Sequence, residues 1–203
     1  MIAIVDYGVG NLFSLRCSFS AIGAETVVTG DVDVLSRAER VVLPGVGAFG
    51  DARKKLSERG LDTVLVSLAT AGKPLLGICL GMQLLFEKSE EFGFHEGLGL
   101  LPGEVTDMAP RLPKGLKTPE IGWNALHLVR PEHPILKNTR EGDCMYFVHS
   151  FSAVNCSDAL LAEAEYGISV TAVAARENVM GCQFHPEKSG TCGLVLLKAF
   201  CEM

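Results

Sequence analysis

Up to Phe86 the chain alternates short apolar runs with amphipathic helical stretches, and this rhythm restricts the possible folds more than any other feature. Ile2 to Val5 reads as a strand that ends in Asp6 and a glycine-rich turn. Asn11 is then placed to cap a helix on which Leu12, Leu15, Phe19 and Ile22 recur at helical spacing. Val27-Val28 and Val41 to Leu43 repeat the strand signal, and helices are expected from near Asp51 and over Asp62 to Ala71. Gly72-Lys73-Pro74 breaks the chain before the apolar strand Leu75 to Ile78, and a helix over Leu80 to Phe86 follows. This alternation predicts an α/β fold: a flavodoxin-like, doubly wound, mostly parallel central sheet flanked by helices. Functional groups in such sheets collect at the carboxyl ends of the strands, here Asp6, Pro44 and Cys79.

Beyond Phe86 the rhythm changes. Gly93 to Gly103 and Pro110 to Pro119 read as loops, strands are expected at Met145 to Val148 and Val170 to Ala174, and Gly193 to Glu202 reads as a closing helix. Few helical patterns separate the later strands, so the second half is expected to add an antiparallel extension. With 203 residues, 48% of them hydrophobic and 21% charged, one domain over residues 1–203 accounts for the whole chain.

Acidic residues outnumber Lys and Arg by 24 to 18, and the formal net charge of -6 argues against nucleic acid or an anionic membrane as partner. The N-terminus lacks the pattern of a secretory signal, and no apolar run is long enough for a membrane span. Seven cysteines without a C-x-x-C pair fit reduced thiols and a cytoplasmic location, and no Cys or His spacing fits a metal site.

Gly77-Ile78-Cys79-Leu80-Gly81 has the form of a nucleophile elbow with Cys in place of Ser. A Cys at a helix start faces free N–H groups and the positive end of the helix dipole, which favour thiolate. A plain buried Cys would show the same spacing. A thiolate also needs a base, and Gly181-Cys182-Gln183-Phe184-His185-Pro186-Glu187 supplies one at the end of an apolar run. In extended chain His185 and Glu187 share a face, so Glu187 is expected to orient the imidazole. Gly45-Val46-Gly47-Ala48-Phe49-Gly50 spells a dinucleotide fingerprint, yet the next confident strand ends in Cys79 where a ribose-binding acid should stand. The glycine loop is better read as an oxyanion loop, with backbone N–H groups paired with that of Leu80. His95, His127 and His133 lie in loop-like segments without partners and are read as structural.

These segments together resemble the class I glutamine amidotransferases. Tyr7-Gly8-Val9-Gly10-Asn11-Leu12, Ile121-Gly122-Trp123-Asn124, Tyr146-Phe147-Val148-His149-Ser150-Phe151 and His185-Pro186-Glu187-Lys188-Ser189 resemble the branch that supplies the glutaminase subunits of imidazole glycerol phosphate synthases. The resemblance implies a Cys79, His185, Glu187 triad, with Val46 and Leu80 donating backbone N–H groups to the oxyanion. It places Gly47, Gln83, His149, Ser150 and Phe151 in a glutamine pocket, and Asn11, Tyr146 and Lys188 toward a partner. Trp123 would stand near an ammonia passage. The implied partner is a TIM-barrel cyclase subunit in a heterodimer, the substrate is glutamine, and no cofactor is needed.

Two positions depart from the family pattern: Phe151 replaces a common Tyr after His-Ser, and Glu120 replaces a His before the Gly-Trp-Asn motif. Both bear on substrate contact and coupling. Two competing readings remain at this level: a glutaminase that feeds a different acceptor, and a non-catalytic flavodoxin-like binding module.

Overall fold

The structure is a computed structural model that describes residues 1–203. In chain order its elements are β1 (Ile2–Val5), α1 (Leu12–Ala21), β2 (Thr26–Thr29), α2 (Val32–Arg37), β3 (Arg40–Leu43), α3 (Phe49–Glu58), α4 (Leu61–Thr70), β4 (Leu75–Ile78) and α5 (Leu80–Leu85). There follow β5 (Lys88–Ser89), β6 (His95–Glu96), β7 (Glu104–Asp107), β8 (Glu120–Leu128), β9 (Cys144–His149), β10 (Phe151–Val154), β11 (Leu160–Glu165), β12 (Ser169–Arg176), β13 (Val179–Cys182) and α6 (Gly190–Cys201).

A large sheet runs in the order β2-β1-β3-β4-β13-β12-β11-β8-β9. Its first five strands pair in parallel, and the pairings from β13 to β9 are antiparallel. The expected parallel sheet with an antiparallel extension is thus the observed one. Because successive side chains in a strand point to opposite faces, Ala3, Val5, Val41 and Leu43 feed one core with α2 to α5, whereas Ile2, Ile4 and Val42 feed another with α1 and α6. Burying each such Leu, Ile or Phe side chain contributes roughly 1.5–3 kcal/mol, which is why the strands are apolar on both sides.

The structure departs from the sequence reading in its details. Helix α2, which Asp31 caps through bonds to Asp33 and Val34, carries only Leu35 into the core, too few apolar positions for a periodic signal. Helix α3 starts at Phe49 rather than near Asp51, and α6 at Gly190 rather than Gly193. Within the segment read as a loop from Gly93 to Gly103, His95–Glu96 pairs with Lys88–Ser89, and in the other a short turn of helix covers Ala109–Arg111. These short strands join a second sheet of order β10-β7-β5-β6. Ser150 lies between β9 of the large sheet and β10 of the small one, so the chain changes sheets there. No helix is long and apolar enough to cross a membrane.

Candidate active site

Strand β4 delivers Cys79 to the carboxyl end of the sheet, where the Cys79 N–H donates to the Cys182 carbonyl at 2.8 Å and the Cys79 carbonyl accepts the Gln83 N–H at 3.1 Å. The residue is caught between a strand bond and the first helical bond. Its φ of 54° lies where side chains are rarely tolerated, a turn that aims the sulfur outward from the strand end. Glycine is required beside it: a Cβ on Gly81 would fall 1.9 Å from the Leu43 carbonyl oxygen. That close approach lets the Pro44 to Gly47 loop lie against the start of α5. The loop is held from below by Tyr7, whose buried hydroxyl donates to the Pro44 carbonyl at 2.8 Å. Burial, with the neighbouring Cys79, pushes the Tyr7 phenol well above its usual range, so it stays a donor.

His185 and Glu187 meet by a route other than the expected one. Strand β13 ends at Cys182, and residues Pro186–Lys188 form a turn of 3-10 helix. The pairing crosses this strand-to-turn junction, with His185 Nδ1 donating to Glu187 Oε1 at 2.8 Å. Both side chains are almost fully buried, at 4% and 1% exposure. Burial alone would push His185 toward the neutral form, but the Cys79 and Glu187 side chains outweigh it and raise its pKa to about 9. Near neutral pH the imidazole therefore carries a proton beside the sulfur.

These groups open onto a cleft of about 420 Å³. Cys79, Leu80, Val46, Gly47 and His185 line it from the strand ends of the large sheet, and Gln83, His149, Ser150, Phe151 and Phe92 complete the lining. Asn11 and Lys188 stand at its mouth, both exposed. Asn11 also caps α1 by accepting the Ser14 N–H at 3.3 Å. Lys188 Nζ sits over the Tyr146 ring, 5.5 Å from its centre, and Trp123 packs edge-on against the same ring. Trp123 nevertheless remains 58% exposed. Every residue singled out in the sequence for the pocket thus reaches the cleft, while Trp123 and Tyr146 flank it through Lys188.

Three participants were not singled out in the sequence. Gln183 is fully buried, and its side-chain amide donates to Cys79 Sγ at 3.7 Å and accepts from Gln83 Nε2 at 3.0 Å. A polar residue in an otherwise apolar run was the available signal. Glu91 lines the cleft and accepts the Phe49 N–H at 2.7 Å, with burial raising its pKa against that bond. Tyr7 is the third. Two histidines read as partnerless have partners: His127 Nδ1 lies 2.9 Å from Glu141 Oε1, and His133 Nδ1 accepts the Ile135 N–H at 3.3 Å. His95 packs against Phe49, with ring centres 6.2 Å apart.

A cysteine, a charged histidine and a carboxylate at the strand ends, bordered by a glycine loop, define the class of the class-I glutamine amidotransferases, whose family model matches residues 3–202. Two solved structures share the fold: a glutamine amidotransferase with a TM-score of 0.77 at 18% identity, covering 100% of this chain and 98% of that one, and PurLQS from Thermotoga maritima, with a TM-score of 0.76 at 20% identity, covering 99% and 97%. Far nearer in sequence is the HisH subunit of imidazole glycerol phosphate synthase from Bacillus licheniformis, 50% identical over 203 residues that cover 98% of this chain and 95% of that protein. The HisH of Wolinella succinogenes is 46% identical over 205 residues, covering 100% of each chain. The chain belongs to this HisH family of class-I glutamine amidotransferases.

Proposed function

We propose that the chain is the glutaminase subunit of an imidazole glycerol phosphate synthase, hydrolysing glutamine to glutamate and passing the ammonia to a TIM-barrel cyclase subunit in histidine biosynthesis. The observation that carries this reading is that Cys79 lines one cleft with a buried His185 that bonds Glu187 at 2.8 Å. Full-length likeness to HisH subunits supports the pathway and the partner.

In this reading the Cys79 sulfur attacks the side-chain amide carbon of glutamine, and the carbonyl oxygen takes up the negative charge. Backbone N–H groups of Val46 and Leu80 stabilise that oxyanion, each donor lowering the barrier by roughly 3 kcal/mol. His185 gives its proton to the departing ammonia and later accepts one from the water that cleaves the thioester, releasing glutamate. Glu187 keeps the imidazole oriented and stabilises its charged form. Gly47, Gln83 and the backbone of His149, Ser150 and Phe151 hold the substrate, and Glu91 offers negative charge to its α-ammonium group. No cofactor takes part. Asn11, Tyr146 and Lys188 face the cyclase, with Trp123 beside the path of ammonia. The unpaired state of all the cysteines supports a cytoplasmic site of action, with residues 1–203 working as one domain.

The test is co-purification with a cyclase subunit of this type, followed by glutamate release measured with and without the cyclase's nucleotide substrate. A stable complex whose glutaminase rate rises with that nucleotide is expected. No complex and no stimulation would direct the reading to another acceptor, and glutamate release that survives Cys79→Ala would remove the nucleophile assignment.

A further inference from the structure

One buried ionisable pair lies at the wall of the cleft, and its side chains take no part in the chemistry above. His149 and Glu120 are 2% and 4% exposed at the side chain, with His149 Nε2 3.3 Å from Glu120 Oε2. Neither atom has another partner. The other nitrogen of His149, Nδ1, lies 2.9 Å from the Phe151 carbonyl. A carbonyl only accepts, so Nδ1 carries the proton of that bond, and Nε2 is left to face the carboxylate.

Glu120 is itself fixed. Asn124 Nδ2 donates to Glu120 Oε1 at 3.0 Å and to the Glu165 carbonyl at 2.9 Å, which ties the carboxylate to the far end of β11. On the cleft side, the Phe151 carbonyl that His149 holds also accepts Gln83 Nε2 at 3.0 Å, and Gln83 continues to Gln183 and so to Cys79. Residues 149–151 are where the chain passes from the large sheet to the small one: His149 pairs with Glu120 across β8 and β9, Phe151 pairs with Asp107 across β10 and β7, and the Ser150 carbonyl between them accepts the Met108 N–H at 3.0 Å.

We propose that Glu120 is a positioning residue for the glutamine pocket: acting through His149, it locks the Phe151 carbonyl and with it the cleft wall of residues 149–151. This rests on the glutaminase reading, since it assigns that wall to glutamine. The pocket, not the sulfur, depends on Glu120. A neutral amide can do the same work, because a Gln at this position accepts from Asn124 with its oxygen and donates from its nitrogen to His149 Nε2. An Ala cannot: His149 Nε2 loses its only facing group, and Asn124 keeps only its bond to the Glu165 carbonyl.

The experiment uses a diazoketone analogue of glutamine that alkylates the active-site cysteine, with concentration dependence separating KI from kinact, alongside iodoacetamide, which needs no glutamine pocket. In Glu120→Ala, KI is expected to rise about tenfold or more with kinact within about threefold, because an ångström of misplacement in a binding wall costs on this scale. In Glu120→Gln, KI returns to within about twofold of wild type, and the iodoacetamide rate matches in all three proteins. An unchanged KI in Glu120→Ala, no recovery in Glu120→Gln, or an iodoacetamide rate that falls in step with KI would each overturn the proposal. Wild-type protein that shows no saturable labelling of Cys79 would overturn the pocket reading and this inference with it.

Discussion

The two walls of the cleft are built on different principles. The wall that carries Cys79, His185 and the Pro44 to Gly47 loop hangs from the ends of parallel strands, each buried on both faces, and its parts are fixed by backbone bonds such as Cys79 N–H to the Cys182 carbonyl at 2.8 Å. The wall that carries His149, Ser150 and Phe151 sits where the chain leaves one sheet for another, so backbone pairing holds its two ends in different sheets and buried side chains tie it to the cleft: Glu120, His149, Gln83 and Gln183. In the proposed function the first wall carries the reaction, and the second carries most of the recognition, with Gly47 its one contribution from the first. Substitutions on the first should therefore act on kcat, and those on the second on binding.

The sharpest way to break this division is at the first wall. Cys79→Ala and His185→Ala should each lower the partner-stimulated glutaminase kcat by about 10⁴-fold or more while the protein keeps its circular dichroism spectrum. A smaller loss would show that the reaction does not run through this pair. Glu187→Gln keeps the shape and removes the charge, and a loss of about 10³-fold is expected. Its signature lies in pH. The His185 pKa is raised from 6.5 to about 9, so the group stabilises the folded state fully below pH 6.5, and that contribution is lost as pH rises through about 9. Denaturant titrations across this window should show a decline in wild type that flattens in Glu187→Gln, and wild-type turnover should fall above pH about 9 as the proton for ammonia is lost.

Outside the cleft the expected effects are smaller and more selective. Trp123→Ala removes an aromatic that packs edge-on against Tyr146 and is 58% exposed. It should change stability by no more than about 0.5 kcal/mol yet weaken cyclase binding by about 2 kcal/mol or more, read by calorimetry. Equal effects on both would place Trp123 in the core instead of at a contact. The smallest effect belongs to Tyr7→Phe, which deletes the 2.8 Å bond to the Pro44 carbonyl. A loss of about 1 kcal/mol in stability is expected, with a fall in kcat and little change in KM.

The same division explains what could be read from the sequence. Strands buried on both faces appear as unbroken apolar runs, so Leu75 to Ile78 was legible to the residue, and Cys79 with it. Strand β8 resists such reading because its outer face carries Ile121 and Trp123, 62% and 58% exposed, which spoils the expected apolar-in, polar-out alternation. The strands of the small sheet are as short as two residues, too short for any periodicity. The pairing of His185 with Glu187 was legible, although it is made across a turn and not along a strand. Gln183 and Glu91 were not, because such a polar side chain declares its purpose only once its partners, distant in sequence, are in place, and Glu120 stood out as a departure from the family pattern without its partner His149.

The backbone at Cys79 works against the residue it carries. At φ 54° any side chain is strained by roughly 1–3 kcal/mol, so the residue that the chemistry cannot spare is one that folding would replace with glycine. Random mutation followed by selection for heat resistance alone should therefore drift toward inactive protein at this codon, whereas selection for histidine-independent growth should hold it fixed. Stability and reactivity are opposed here at a single peptide unit, and the densely packed strands on either side of it make that opposition tolerable.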